Sequence, residues 1–134
     1  MRLSDITTAN TVVFTKNSGN LVAIQQGDQI PWNLKRVFFI TTSSNENRGN
    51  HAHVNGYQAF FCITGSVQLL LKDGISIEER LLNPLGEVVL VPPGIWVDVH
   101  LLENSTLAVF TDLTYDEKDY INNWDHFYKF KGHP

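Results

Sequence analysis

The feature that most constrains the fold is a succession of short β-rich runs separated by turn residues. Branched and aromatic side chains dominate the runs, and glycine, proline, asparagine or aspartate marks most of the breaks between them. The runs recur at intervals of about 8–12 residues and number about nine or ten, as expected of an all-β sandwich or barrel. The clearest runs are 11–15, 21–26, 36–42, 57–64, 67–71, 75–82, 87–91, 95–102 and 106–113.

Only the C-terminal part of the sequence predicts a helix. Asp116 is a candidate N-cap, and Asp116, Glu117 and Asp119 fit the solvent-exposed start of a helix. Apolar side chains then follow at helical spacing. They are Tyr120, Ile121, Trp124, Phe127 and Tyr128. With a length of 134 residues, the chain is expected to form a single domain, 1–134, with a short helical segment packed on the β part.

Composition and charge exclude several classes of protein. The net charge of −4 argues against a protein that coats nucleic acid, which needs a basic face. Cys62 is the only cysteine, so neither an internal disulfide nor a zinc site built from cysteines is possible. No apolar run has the length of a membrane span or a signal peptide, so no membrane partner is predicted and the cytoplasm is the expected compartment.

The most distinctive short stretch is RGNHAH, residues 48–53. In a strand, alternate side chains share a face, so His51 and His53 are expected to project together. Two imidazoles on the concave face of a β-barrel can begin a metal site or place a proton-transfer group in an apolar pocket. Two structural histidines with ordinary hydrogen bonds are the third possibility.

The spacing around this stretch resembles the two sequence motifs of the cupins. The matching positions are Gly49, His51, His53, Gln58 and Gly65 in the first motif and Gly86, Pro92, Gly94 and Val97 in the second. Gln58 stands where the motif has a carboxylate, and Val97 stands where it has a third histidine. Because a neutral amide is a poor metal ligand and valine is none, we predict that no metal is bound.

A longer pattern resembles the nucleotide-sugar 3,4-ketoisomerases, from about residue 18 to residue 130. It comprises LVAI, IPWNLKRVFFI, RGNHAH, ITGSV, VPPGIW and LTYDEKDYINNWDHF. The resemblance implies a double-stranded β-helix, the jelly-roll barrel of the cupins, that acts on dTDP-4-keto-6-deoxy-D-glucose without a cofactor. The product would be the 3-keto isomer, a precursor of 3-amino-3,6-dideoxy sugars for surface glycans or antibiotics. It also implies a homodimer that exchanges N-terminal strands.

The residues of RGNHAH suit this chemistry. Moving a carbonyl from C4 to C3 requires proton transfers but no hydride acceptor, and a histidine is a suitable acid and base near neutral pH. We expect His51 and His53 to be the catalytic pair, one shuttling the C–H proton and the other serving an oxygen. Arg48 is expected to bind a pyrophosphate or sugar oxygen. The full set of predicted substrate contacts is Arg36, Phe38, Arg48, Tyr57, Gln58, Trp96 and Asp98.

Two departures from the family pattern keep other functions open. Phe38 and Phe39 stand where the family usually has tyrosines, and Val97 stands where it tends to have a histidine. These losses favour a non-catalytic cupin that binds a nucleotide sugar or another small ligand. A metal-dependent oxygenase is opposed by Gln58 and Val97. A 3,5-epimerase normally relies on a His–Asp dyad and a tyrosine, and RGNHAH contains no such arrangement.

Overall fold

The computed structural model describes residues 1–134 and consists mainly of antiparallel β-strands. The strands are β1 (Thr7–Ala9), β2 (Val13–Lys16), β3 (Gly19–Val22), β4 (Arg36–Thr42), β5 (Glu46–His53), β6 (Gln58–Thr64), β7 (Val67–Lys72), β8 (Ile77–Leu82), β9 (Val88–Val91), β10 (Trp96–Leu101), β11 (Ser105–Thr111) and β12 (Tyr120–Ile121). One α-helix, α1, spans Trp124–Phe130. Two 3-10 helices cover Leu3–Asp5 and Glu117–Asp119.

The strands form two five-stranded sheets and a separate hairpin. The first sheet has the order β1-β9-β6-β11-β4, the second has the order β12-β5-β10-β7-β8, and β2 pairs only with β3. All of these strand pairs are antiparallel. The predicted all-β, jelly-roll class is confirmed.

The main core lies between the two sheets and follows from the alternation of side chains along each strand. In β7, Val67, Leu69 and Leu71 are fully buried, whereas the residues between them are only partly buried. In β10, Val97 and Val99 belong to the same core of fifteen buried residues. Because strand side chains alternate between faces, the neighbours of these residues must point to the outside of the barrel.

The C-terminal segment differs from the sequence prediction. Tyr120 and Ile121 do not begin a helix; they form β12, which pairs with β5 at His53 and Ala52. The helix starts only at Trp124, where the side chain of Asn123 accepts a hydrogen bond from the backbone N–H of His126. Pairing with β5 satisfies backbone groups that an early helical turn would leave without partners. None of the helices has the length and apolar character needed to cross a membrane.

A second difference concerns the polar approach to the histidines. Polar and turn-forming residues fill positions 43–50 and favour a loop, but β5 begins at Glu46 and continues to His53. Gly49 and Asn50 both adopt positive φ angles, 85° and 60°, and the pairing register with β10 shifts at this point. The irregularity is therefore a β-bulge inside a strand.

We predict that the barrel core is sensitive to truncation at Leu69. Leu69 has no exposed surface, so Leu69→Ala should lower the free energy of unfolding by about 2–5 kcal/mol. Leu81 on β8 is 62% exposed, and Leu81→Ala should change it by less than about 0.5 kcal/mol. Urea unfolding of both variants tests the prediction, and equal losses would contradict the placement of the core.

Candidate active site

The two histidines of β5 lie together on its inner face. Their ring centroids are 5.3 Å apart and the rings are nearly perpendicular, at 86°. His51 is directly opposite Val97 of β10, whose side chain is part of the barrel core. His51 is half-buried and His53 is buried, so the strand directs both imidazoles inward as the alternation predicts.

The hydrogen bonds of His53 define its tautomer. Its Nδ1 lies 3.0 Å from Oδ2 of Asp119. An ionised carboxylate only accepts, so Nδ1 carries the hydrogen and Nε2 carries the lone pair. Nε2 is buried and has no hydrogen-bond partner. A buried polar atom without a partner is costly, and at a cavity wall it marks a position where a ligand can bind.

His51 has the same tautomer for a different reason. Its Nδ1 lies 3.1 Å from the backbone carbonyl of Gly49, which also can only accept. Nε2 of His51 therefore carries a lone pair as well. A side chain at Gly49 would place its Cβ 2.6 Å from the carbonyl oxygen of Val97, and its φ of +85° favours glycine. Glycine at this position thus allows the bulge that brings the carbonyl to His51.

Burial keeps both imidazoles neutral. Desolvation is the main cause that lowers the pKa of His51, and the neighbouring His53 lowers it further. Desolvation also lowers the pKa of His53, outweighing the hydrogen bond and the charge of Asp119, which raise it. At neutral pH both rings are accordingly unprotonated at Nε2, the state that a general base requires.

Asp119 is the site residue that the sequence analysis missed. It was expected to be solvent-exposed at a helix start, but only 8% of its surface is accessible. Its carboxylate accepts hydrogen bonds from the backbone N–H groups of Asn55 and Gly56 as well as from His53. The chain therefore does contain a His–Asp pair, which joins residues 66 positions apart rather than neighbours within RGNHAH.

Tyr120 completes the surroundings of the two histidines. Its ring centroid lies 4.9 Å from that of His51 and 4.4 Å from that of His53. The ring also lines the cavity that contains His53. The helical spacing assigned to Tyr120 concealed this position, because a two-residue strand is too short to show alternation in the sequence.

The bulge in β5 also determines the direction of Arg48. Arg48 and His51 are three residues apart, so they would face opposite sides of a regular strand. With the bulge between them, Arg48 pairs with Val99 and His51 pairs with Val97, both of which point into the barrel. Arg48 thus shares the face of the histidines. Its side chain is 55% exposed, and its only ionic partner is Glu46 at 3.8 Å.

Arg36 lies on the wall of the His53 cavity. Its guanidinium sits over the rings of Phe38 and Tyr115, at 4.7 and 5.2 Å from their centroids. Cation–π contacts of this kind hold an arginine in place without neutralising it. Arg36 makes no ion pair within the chain, so its charge is available to an anion.

Gln58 connects the two cavities of the site. One cavity contains His53, Arg36 and Tyr57, the other contains His51 and Phe38, and Gln58 lines both. Gln58 is 4% exposed, and its side chain makes no hydrogen bond within the chain. The structure therefore brings five of the predicted contact residues to the face or the cavities of the histidines. They are Arg36, Phe38, Arg48, Tyr57 and Gln58.

Trp96 and Asp98, the two remaining predicted contacts, lie on the outer face of β10. Val97 between them points into the core, so their side chains must point the other way. Trp96 packs against Trp124 and Phe127, and its Nε1 donates a hydrogen bond to Asp98. Asp98 also forms an ion pair with Lys72 at 3.2 Å. We therefore leave both residues out of the proposed site.

Two other sequence expectations are refined by the structure. Phe39 is 61% exposed and does not line the cavity, so its lack of a hydroxyl has no effect there. Phe38 does line the cavity, and at this position a hydroxyl is missing. No group of three histidine, cysteine, aspartate or glutamate side chains is placed to hold a metal ion. Chemistry without a metal remains a prediction.

Comparisons with known proteins identify the family of the chain. The family FdtA, described as WxcM-like, C-terminal, matches residues 3–132. The chain belongs to this family. It is 37% identical over 114 residues, 84% of this chain and 82% of the relative, to the TDP-4-oxo-6-deoxy-alpha-D-glucose-3,4-oxoisomerase of Aneurinibacillus thermoaerophilus. The predicted family resemblance is confirmed.

Solved structures of sugar 3,4-ketoisomerases superpose on nearly the whole chain. The sugar 3,4-ketoisomerase QdtA of Thermoanaerobacterium thermosaccharolyticum, solved with TDP, has a TM-score of 0.88 at 27% identity over 97% of this chain and 96% of its own. A histidine-to-asparagine variant of QdtA was solved with TDP-4-keto-6-deoxyglucose. The TDP-quinovose 3,4-ketoisomerase WlaRB of Campylobacter jejuni has a TM-score of 0.86 at 29% identity over 95% of this chain and 99% of its own.

We predict that the folded protein becomes less stable as the pH falls below the ordinary pKa of histidine. The folded protein lowers the pKa of His51 and His53 below 6.5, so the unfolded chain binds more protons once the pH falls below that value. The free energy of unfolding should therefore decrease as the pH falls below about 6.5 and should not depend on these groups well above it. Urea unfolding across this range measures the slope.

His51→Asn should make this pH dependence weaker, because one buried imidazole is removed. His126 is exposed and provides the matched control, so His126→Asn should retain the wild-type slope. An unchanged slope in His51→Asn would mean that burial of this ring does not affect its protonation.

Proposed function

We propose that the protein is a sugar-nucleotide 3,4-ketoisomerase that converts dTDP-4-keto-6-deoxy-D-glucose into the 3-keto isomer without a metal or cofactor. The observation that carries the proposal is the pair of adjacent imidazoles, both with an unprotonated Nε2, which line two cavities that Gln58 also lines. The activities of the FdtA relatives support the same reaction. The product is proposed to be a precursor of 3-amino-3,6-dideoxy sugars.

The reaction needs two proton shuttles, and the site contains two bases. One histidine removes the proton from C3, the electrons form the C3=C4 bond, and the carbonyl oxygen at C4 becomes the oxygen of an enediolate. The other histidine transfers the proton of the C3 hydroxyl to that oxygen. The first histidine then delivers its proton to C4 while the C3 carbonyl forms. Both imidazoles end neutral, so no external acid, base or electron acceptor is consumed.

Arg36 and Arg48 are proposed to bind the diphosphate of the substrate. A guanidinium forms paired, charge-assisted hydrogen bonds with phosphate oxygens. Arg36 lines the His53 cavity without an ionic partner, and Arg48 has only a long contact with Glu46 at 3.8 Å. Arg36 shares a cavity with His53, and Arg48 lies on the same strand face as His51, so a diphosphate held by the two cations would leave the sugar on the side of the imidazoles.

Gln58 and Tyr57 are proposed to contact the sugar. Phe38 supplies no hydroxyl in the cavity that contains His51, so another group must satisfy the sugar oxygens there. Gln58 is 4% exposed, its amide makes no hydrogen bond within the chain, and it lines the cavities of both histidines. Tyr57 lines the His53 cavity beside it.

A non-catalytic cupin that binds a nucleotide sugar is the second candidate. The observation that favours it is the apolar character of the His51 cavity, where Phe38 faces Val97 and Val99 without a hydroxyl. A site with this lining can hold a sugar ring yet fail to stabilise an enediolate. The two candidates predict different fates for the C3 proton.

The hairpin of β2 and β3 is proposed to dock on a second copy of the chain, giving a homodimer with exchanged N-terminal strands. The hairpin pairs with no other strand. Its residues Phe14 and Leu21 are 64% and 60% exposed and lie opposite each other across the two strands, so they form an apolar patch on a hairpin outside both sheets. The cytoplasmic location expected from the sequence remains a prediction.

Incubation with dTDP-4-keto-6-deoxy-D-glucose in deuterated buffer tests the reaction. We expect deuterium at C4 together with a carbonyl at C3, observed by NMR. His51→Asn and His53→Asn should each lower turnover by at least about 100-fold, because each removes a group that transfers a proton. Exposed His126 is again the control, and His126→Asn should keep the wild-type rate.

Other outcomes of this experiment would contradict the proposal. Tight binding without any exchange would favour the non-catalytic cupin. Deuterium at C5 would instead indicate an epimerase. Near-normal rates in both histidine variants would show that the two imidazoles do not transfer the protons.

The dimer is tested by changing the exposed side chains of the hairpin. Phe14→Ser together with Leu21→Ser should shift the protein from dimer to monomer in analytical ultracentrifugation. Ile77 and Leu81 on β8 are similarly exposed, at 65% and 62%, so serine at both positions should leave the dimer intact. A monomeric wild-type protein would contradict the proposed assembly.

A further inference from the structure

We propose that Asp119 is a positioning residue for His53: its carboxylate keeps the ring hydrogen on Nδ1, so that Nε2 enters the reaction as a proton acceptor. The inference rests on the proposed function for the identity of the reaction. Which nitrogen of the His53 ring carries the hydrogen can be measured in the protein without substrate. The two can therefore be tested separately.

The carboxylate of Asp119 has a single arrangement that satisfies its neighbours. Oδ2 accepts from Nδ1 of His53 at 3.0 Å and from the backbone N–H of Gly56 at 3.1 Å, and Oδ1 accepts from the backbone N–H of Asn55 at 2.8 Å. All three neighbours donate, so the carboxylate has no reason to hold a proton of its own. Two fixed backbone donors orient the acceptor, and the acceptor in turn orients the ring.

The backbone of Asp119 is fixed against the strand end that carries the histidine. Its carbonyl accepts from the N–H of Val54 at 2.8 Å, and the next residue, Tyr120, pairs with His53 in β12. A Cβ at Gly56 would lie 2.9 Å from Oδ2 of Asp119, so the turn after β5 packs closely against the carboxylate. The carboxylate that meets the imidazole is thus held by two segments far apart in sequence.

This arrangement also suits the charge that appears during the reaction. When Nε2 accepts a proton from the substrate, the ring becomes a cation with Asp119 at its other nitrogen. The hydrogen bond between them becomes charge-assisted and stabilises the imidazolium until Nε2 returns the proton. His51 has only a backbone carbonyl at its Nδ1, so this stabilisation belongs to His53 alone.

The site provides a matched control in Asp112. Its Oδ1 accepts from the backbone N–H of Tyr57 at 2.8 Å, next to the turn that Asp119 holds, but its carboxylate makes no hydrogen bond with an imidazole. If Asp119 only stabilised the turn, removing either carboxylate would have similar consequences. If Asp119 positions His53, only its removal changes the tautomer of the ring.

The experiment records the ¹⁵N signals of the His53 ring without substrate. In the wild type and in Asp112→Ala we expect a protonated Nδ1 and an unprotonated Nε2. In Asp119→Ala we expect signals averaged between the two tautomers, because Nδ1 has lost its acceptor. Turnover of Asp119→Ala should fall by about 10- to 100-fold with KM changed by less than about 3-fold, as expected when a group beside the catalytic residue is lost.

A second variant covers the possibility that Asp119→Ala does not fold. Asp119→Asn keeps the size of the side chain but removes its charge, and both the hydrogen bond and the charge of Asp119 raise the pKa of His53. The pH midpoint of the His53 ring signals should therefore move to lower pH in Asp119→Asn. The other groups that face this ring are Arg36, Asp112, His51 and Tyr120, and all of them are unchanged in the variant.

Two results would overturn the inference. One is a wild-type spectrum with hydrogen on Nε2 of His53. The other is an equal loss of turnover in Asp119→Ala and Asp112→Ala with the ring signals unchanged in both. A fixed Nδ1–H tautomer in a protein that does not isomerise the sugar would support the role of Asp119 in fixing the ring and would overturn the proposed function instead.

Discussion

The hydrogen bond between His53 and Asp119 is the interaction on which the site depends. It joins β5, which carries both histidines, to the segment that leads into β12 and the C-terminal helix. The same carboxylate holds the turn at Asn55 and Gly56. One buried group thereby sets the tautomer of a catalytic residue, the path of the chain after β5 and the position of Tyr120. Both oxygens of this carboxylate accept hydrogen bonds, and a buried polar group that is satisfied in this way can fix one arrangement of its neighbours.

A second constraint is the bulge at Gly49 and Asn50. A regular strand would place Arg48 and His51 on opposite faces, one toward the barrel and the other toward solvent. The bulge removes this conflict and also presents the carbonyl of Gly49 to His51. Bulges near active sites commonly redirect a side chain in this manner. The cation proposed for the diphosphate and the base proposed for the sugar thus come from one short segment.

Much of the fold was predictable from the sequence, because alternating strands and turn residues are local signals. Alternation also predicted that His51 and His53 share a face. Asp119 was not predictable, since its burial depends on a hydrogen bond across 66 residues and on a strand of only two residues. Trp96 and Asp98 were misplaced because alternation shows which residues share a face but does not say which face is inside. Val97 settles that question once the core is known.

The long separation between His53 and Asp119 also affects how the protein acquires its activity. A growing polypeptide contains both imidazoles well before the carboxylate is synthesised, because 66 residues lie between the paired side chains. The strands from β1 to β11 all precede the carboxylate in the sequence. A product that ends before Asp119 would therefore lack both the acceptor for Nδ1 of His53 and the strand that pairs with the end of β5.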